Sequence, residues 1–422
     1  MYPLALARRR YIEKAWRTIS IRHGFDEVDG PTFEHLDLYT VKSGDGIVSE
    51  LFSFTRAGGE KDYALRPEFT PSLARLYTAQ AGQLPKPTKW FWQNTCFRAE
   101  RPQRGRLREF LQWNCDILGA ENRSLADAEI IAVVVDLLEH LGLKPSDLQV
   151  RLNDRAAAVE VLTACGVTGD PIAALGMLDK RAKMKPEAFA ELCTQSGLRI
   201  GEFDQKMATV AAAAGRVLTG TGTAEDATTL AAMPGIAGLA EQLKAMGIGQ
   251  WCAVDASIVR GLAYYTGTVV EVIVDGERAV AGGGRYDNLI ELFGGPATPA
   301  IGFGMGDVVL SLVLQDKKLM PSDADLVRQM GLSPDVYVIS NGTPEADAAL
   351  SGTVATLRRT GLHTRRSYKA TKNIGKLLKD AGDAGSRFAV ILESGVEATV
   401  KNMGTGEQTK VPLAELQKAV GG

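Results

Sequence analysis

Nowhere in these 422 residues do 18 apolar residues follow one another, so no membrane-spanning helix is expected. The amino terminus, MYPLALARRRYIEKAW, lacks an apolar run of signal-peptide length, and a cytoplasmic protein is the expectation. Cysteine is scarce. Cys96, Cys115, Cys165, Cys193 and Cys252 show no CxxC spacing, and the four histidines do not fall at metal-ligand distances from them. Reduced thiols and no structural metal site follow. An excess of charge of one sign is also missing: Lys+Arg 48 against Asp+Glu 50 gives a net charge of -2. Any nucleic-acid partner must therefore be met by local patches rather than by global basicity.

What is present is an ordinary globular composition, 45% hydrophobic and 23% charged, in a chain long enough for two or three domains. Its most informative stretch is 90–119. Two aromatic-rich runs, 90–97 and 110–118, alternate with a period of two and flank Arg98, Arg101, Arg104, Arg106 and Arg108, opposed only by Glu100 and Glu109. This reads as an antiparallel hairpin whose turn chemistry sits at 102–105. Several guanidinium groups projected from a rigid sheet suit a polyanion such as a nucleotide triphosphate or an RNA end, whereas the plain alternative is a solvated arginine-rich loop.

Other residues join it. Glu68 and Thr70 stand where a strand passes into a helix, as a pocket carboxylate for a substrate ammonium or as a simple helix cap with a first-turn acid. Gln112 and Asp116 are evenly spaced on the second hairpin strand and share a face with Phe110, while Leu111, Trp113 and Cys115 face the core. A buried amide and carboxylate side by side are costly without partners, which a polar ligand would supply. Arg260 precedes Tyr264 and Tyr265 in a strand-rich segment, an aromatic wall with a cation nearby; an aromatic core edge with an ion pair is the plainer account.

Around these lie an amphipathic helix over 6–22 with Ile12, Trp16 and Ile19 on one face, and then a strand through FDEVDGPTFEHLDLY. An apolar helix runs from Asp127 to Gly142, and AVAGGGRYDNLIELFGG supplies a glycine-rich turn before a helix. An alanine-rich helical insertion covers about 167–247; its basic run DKRAKMK reads as a solvated helix face in preference to an RNA contact. A linker at 321–333 leads to a small α/β domain at 334–422, where nine Lys or Arg face two Asp between 358 and 387.

FRAERPQRGRLREFLQ closely resembles motif 2 of class II aminoacyl-tRNA synthetases in the form found in histidyl-tRNA synthetases. LRPEFT resembles that family's LRPEGT, with Phe69 for the usual glycine, and RGLAYYTG is similar to RGLDYYTG, with Ala263 for the aspartate. GGRYD matches as it stands. AIGFGMGDVVLSLVLQ has the layout of motif 3, with Val308 and Val309 where an acid and an arginine are usual. The resemblance implies an α+β fold: a class II antiparallel-sheet catalytic domain at 1–320 carrying the insertion, plus a C-terminal anticodon-binding domain.

It further implies a homodimer that activates L-histidine with ATP and Mg2+ and charges tRNA(His), without a membrane. The roles implied are Arg98 and Arg260 on the α-phosphate and carboxylate, and Arg98, Glu100 and Arg106 on ATP. Glu68, Thr70, Gln112, Asp116, Tyr264 and Tyr265 would hold histidine. Arg106 is the candidate to replace the missing motif 3 arginine.

Two rivals remain. A non-catalytic synthetase paralogue, the histidine-sensing regulatory subunit of ATP phosphoribosyltransferase, fits the losses at Ala263 and Val309 but typically lacks the C-terminal domain. A general RNA-binding protein of synthetase descent has no need of Gln112, Asp116 and the tyrosine pair.

Overall fold

The computed structural model describes the chain apart from residues 44, 182–183, 256–257, 259–263, 275–278, 370 and 422, and the side chains at 41–47, 179 and 180 are likewise outside it. It divides into two compact units, Ile12–Met320 and a second formed by Met1–Tyr11 with Pro321–Gly422. The larger unit is organised by an eight-stranded sheet. Its order is Asp26–Glu27, Thr88–Phe97, Glu109–Leu118, Ala300–Gly306, Ala281–Arg285, Thr268–Ile273, Gln149–Asp154 and Cys252–Val254. The six central strands pair antiparallel, and only the two edge strands join in parallel.

The hairpin of Thr88–Phe97 and Glu109–Leu118 forms as its alternation requires, with ten paired residues on each strand. Arg98 N donates to Arg108 O at 2.9 Å, and Gln103 and Arg106 exchange backbone bonds at the tip, where Gly105 takes φ +75°. One face of the second strand is core. Trp113 stacks on Trp16 with centroids 5.8 Å apart, meets Phe303 edge-on, and donates its indole N–H to Ser20 Oγ at 2.9 Å. Trp16 lies on the helix Pro3–Arg22 together with fully buried Ile12 and Ile19, as the periodicity asks.

Two readings of the sequence change in and beside this sheet. The stretch after Gly24 is two short strands rather than one, Asp26–Glu27 and Phe33–His35, which join different sheets before a helix at Asp37–Ser43. Pro31 carries no N–H for a ladder, and the buried Arg66 guanidinium donates to the carbonyls of Gly30 at 2.9 Å and Pro31 at 3.2 Å, so the backbone here is held by a side chain instead of a neighbouring strand. The glycine run expected as a turn is a central strand, Ala281–Arg285. A Cβ at Gly283 would lie 2.2 Å from Gly302 O and 2.6 Å from the Phe303 Cα. Only glycine permits that approach.

The apolar helix spans Arg123–His140, beginning earlier than its apolar run because Asn122 caps it, accepting from Leu125 N at 3.1 Å. It presents Asp127 to the sheet. There the buried Arg285 guanidinium pairs with Asp127 and, at 2.9 Å, with Asp287; Thr268 Oγ1 donates to Asp127 Oδ2 at 2.6 Å. Burial pushes the Asp127 carboxyl up while Arg285 pulls it back. Five helices, Pro171–Lys180, Pro186–Gln195, Ile200–Leu218, Ala224–Ala231 and Pro234–Ala245, fill the region read as an insertion.

In the second unit a five-stranded sheet runs Thr364–Arg366, Val336–Ser340, Phe388–Leu392, Glu397–Asn402 and Gln408–Pro412. The last strand was not anticipated. Its apolar cores lie around Val338, Val390 and Leu357 on one side and Ile339, Leu377 and Ile391 on the other. Residues 321–333, read as a linker, include a helix at Asp323–Gln329 capped by Ser322.

Two outcomes follow for stability. Asp127→Asn removes one of the two carboxylates paired with the buried Arg285 and leaves Asp287 as its only counter-charge; it is expected to cost about 1–3 kcal/mol, read by urea denaturation of tryptophan fluorescence, because all five tryptophans lie in the larger unit. Gly302→Ala is expected to lower the same midpoint, since its Cβ would sit 1.9 Å from Asp116 Oδ1 and 2.9 Å from Cys115 O.

Candidate active-site cleft

The non-core face of the sheet carries a cleft of about 760 Å³. Its floor is the pairing of Glu109–Leu118 with Ala300–Gly306. Gln112 lies opposite Gly306, Asn114 opposite Gly304 and Asp116 opposite Gly302, so three polar side chains face three residues that have none. The room matters. The positions above Gly302 and Gly304 are filled by the Asp116 carboxylate and the Gln112 amide. Gln112, Asn114 and Asp116 are 8%, 3% and 1% exposed, a polar row that burial alone would penalise.

The row is bonded within itself and to the residue that follows Ala281–Arg285, the strand beyond the glycines. Gln112 Nε2 donates to Asn114 Oδ1 at 2.8 Å, and Tyr286 Oη donates to Asp116 Oδ1 at 2.5 Å. Tyr286 follows Arg285 directly, so the buried ion pair described above sets where its ring begins. Tyr264 packs on Tyr265 at 4.6 Å and against Tyr286 at 6.1 Å. Burial, reinforced by the Asp116 carboxylate, raises the Tyr286 phenol well above its ordinary value; burial, with Tyr265 and Glu68 adding to it, does the same for Tyr264. Both remain neutral and able to donate over the working pH range.

Glu68 and Thr70 line the same cleft. Thr70 is the first residue of its helix, Thr70–Gln80; Phe69 occupies the cap position and makes no side-chain cap bond. Phe69 itself turns away from the cleft: fully buried, it stacks on Trp92 at 4.4 Å with planes 4° apart. The Arg66 guanidinium also lies over that tryptophan, 4.8 Å from the ring centroid. The bulky residue therefore packs beneath the segment and leaves the cleft to its neighbours.

Of the hairpin arginines, Arg98 and Arg106 line the cleft. Arg98 donates to Pro67 O at 3.1 Å and lies 5.0 Å from the Phe110 ring centroid. Arg106 pairs with Glu100, which is not among the lining residues. Arg104 bonds Asp316 at 2.9 Å, and Arg108 donates to Glu100 O at 3.2 Å. Val308 and Val309 line the cleft from the start of the helix Asp307–Asp316, which Asp307 ties to the hairpin by accepting from Leu111 N at 3.0 Å. Arg260 and Ala263 lie outside the described residues.

Three polar lining residues escaped the sequence reading. Asn114 shares the period-two face of Gln112 and Asp116, so the count already contained it. Tyr286 stood inside GGRYD without a role. Glu271 faces the cleft from Thr268–Ile273, opposite Gly282, and only the sheet register brings it there. Among the described residues no three His, Cys, Asp or Glu gather as a metal-binding group.

The cleft combines acids and phenols with two arginines, a set that suits an amino acid beside a polyphosphate. Comparison with known proteins agrees. A family profile described as histidyl-tRNA synthetase matches residues 1–307. Over 436 residues the chain is 39% identical to a histidine–tRNA ligase from Opitutus terrae, covering 99% of this chain and 95% of that protein. It is 37% identical to one from Halobacterium salinarum, covering 98% and 94%. The crystal structure of apo histidyl-tRNA synthetase from S. aureus shares the fold with a TM-score of 0.68 at 24% identity, covering 100% of this chain and 97% of that one. With its motif 2 hairpin, its polar strand over glycines and full-length relatives at this identity, the chain belongs to the histidyl-tRNA synthetase family.

Proposed function

We propose that the protein is a histidine–tRNA ligase, and the observation that carries this reading is the cleft that joins Glu68, Thr70, Gln112 and Asp116 to Arg98 and Arg106. One carboxylate oxygen of histidine attacks the α-phosphorus of ATP in line. The bond to the β-phosphate oxygen breaks, pyrophosphate leaves, and histidyl-adenylate remains. A ribose hydroxyl at the tRNA 3′ end then attacks the activated carbonyl, and AMP leaves. Positioning and charge stabilisation supply most of the acceleration in such a transfer.

In this reading Glu68, Thr70 and Gln112 hold the ammonium, and Asp116, fixed by Tyr286, meets the imidazole between Tyr264 and Tyr265. Arg98, with Arg260 from RGLAYYTG, neutralises the α-phosphate and carboxylate; Arg106, oriented by Glu100, takes the outer phosphates. With Val309 in place of an arginine, Arg98 and Arg106 are the two basic residues among the described lining, which supports assigning the outer phosphates to Arg106. Magnesium accompanies ATP. The three lining carboxylates, Glu68, Asp116 and Glu271, form no joint cluster, which suits an ion held mainly by phosphate oxygens and water.

The basic run of the smaller unit, with exposed Tyr368 beside Arg366, supports tRNA binding there. Phe33 and Phe54, 50% and 44% exposed on a three-stranded sheet of Phe33–His35, Asp62–Leu65 and Ser53–Thr55, support a homodimer. No helix among the described residues is long and apolar enough to cross a membrane. Val308 and Val309 favour one second reading, a histidine-binding subunit without catalysis.

Histidine-dependent ATP–pyrophosphate exchange separates the two. Exchange is expected, with Arg98→Ala and Arg260→Ala each losing at least about 100-fold in rate; histidine binding without exchange would leave the non-catalytic reading. Arg106→Ala is expected to raise the KM for ATP about tenfold or more while leaving the KM for histidine nearly unchanged.

A further inference from the structure

Nothing in the assignment above explains Asn114. It is 3% exposed, lines the cleft, and accepts the Gln112 amide N–H at 2.8 Å. A glutamine amide can offer a ligand either its oxygen or its NH2 group. In this cleft the difference decides what can bind, since an ammonium needs an acceptor and a carboxylate needs a donor.

We propose that Asn114 is a positioning residue that locks the Gln112 amide with its oxygen toward the substrate ammonium. Three observations carry it. Gln112 Nε2 donates to Asn114 Oδ1 at 2.8 Å, and with its NH2 group so engaged the Gln112 amide has its oxygen to offer a ligand. Gly304 lies directly beneath the pair: a Cβ there would be 3.0 Å from Gln112 Nε2 and 3.6 Å from Asn114 Oδ1, so the bare strand lets both amides lie flat against it. Finally, Glu68 and Thr70 line the same cleft with a carboxylate and a hydroxyl. An acceptor at Gln112 would give the three N–H bonds of an ammonium three oxygens, whereas an inward NH2 would oppose the cation.

The inference rests on the histidine-activating reading, and the test separates the two. Asn114→Leu keeps a similar volume but removes the acceptor; Asn114→Asp keeps an acceptor and cannot donate, so it holds Gln112 in the same sense. The readouts are the KM for histidine in pyrophosphate exchange and competitive inhibition by 3-(imidazol-4-yl)propionate, which lacks the ammonium. Asn114→Leu is expected to raise the KM for histidine roughly tenfold with kcat little changed. Asn114→Asp should stay near wild type, and inhibition by the analogue should be unchanged in both. Equal weakening of substrate and analogue, an unchanged KM in Asn114→Leu, or an Asp variant as poor as the Leu variant would overturn the lock. A wild-type chain whose exchange does not depend on histidine would instead overturn the functional reading, and the inference with it.

Discussion

The active-site face depends on one steric constraint, the close approach of Glu109–Leu118 and Ala281–Arg285 to a strand with glycine at alternate positions. Gly302, Gly304 and Gly306 remove the side chains that would otherwise fill the cleft, and Asp116, Asn114 and Gln112 lie in the space so made. Gly283 carries the same constraint across the next pairing, where any Cβ would meet backbone that cannot move. Glycine weakens a strand through its chain entropy. Here the neighbouring strands compensate: one hairpin strand is paired over ten residues, and its opposite face is closed by Trp113 between Trp16 and Phe303.

The second support is electrostatic. Arg285 and Asp127 are each 3% exposed, and a buried ion pair of this kind does more to fix geometry than to add net stability. Its geometric consequence is visible. The strand carrying Arg285 ends at a defined place, the next residue is Tyr286, and its hydroxyl reaches Asp116. Asp287 accepts from Ala300 N at 3.0 Å, so the same short segment also fixes the start of the glycine strand. Core, ion pair and polar row are thus linked through three consecutive residues.

Much of this was legible in the sequence because its causes are local. Alternation sets the hairpin and its two faces, the 3.6-residue period sets the helix bearing Ile12, Trp16 and Ile19, and the clustered arginines mark the loop. Sheet neighbours are not local. The glycine run at 282–284 has the composition of a turn, and only the proximity of Gly302 and Phe303 makes it a strand. A phenylalanine in place of the usual glycine has either to point out of the cleft or to reshape it, and Trp92, distant in sequence, decides the matter by providing a stacking surface for Phe69. Glu271 came into view only with the register of its strand. Asn114 was a different kind of omission: the period placed it on the correct face, and its neighbours drew the attention.

The proposed activity rests on histidine binding across the polar row, ammonium toward Glu68 and Gln112 and imidazole toward Asp116 and Tyr286. A crystal structure of the protein with histidine bound tests it most directly. A ring nitrogen is expected within about 3 Å of the Asp116 carboxylate, and the ammonium within about 3 Å of Gln112 Oε1. Histidine bound in the reverse sense, or away from the glycine strand, would contradict it.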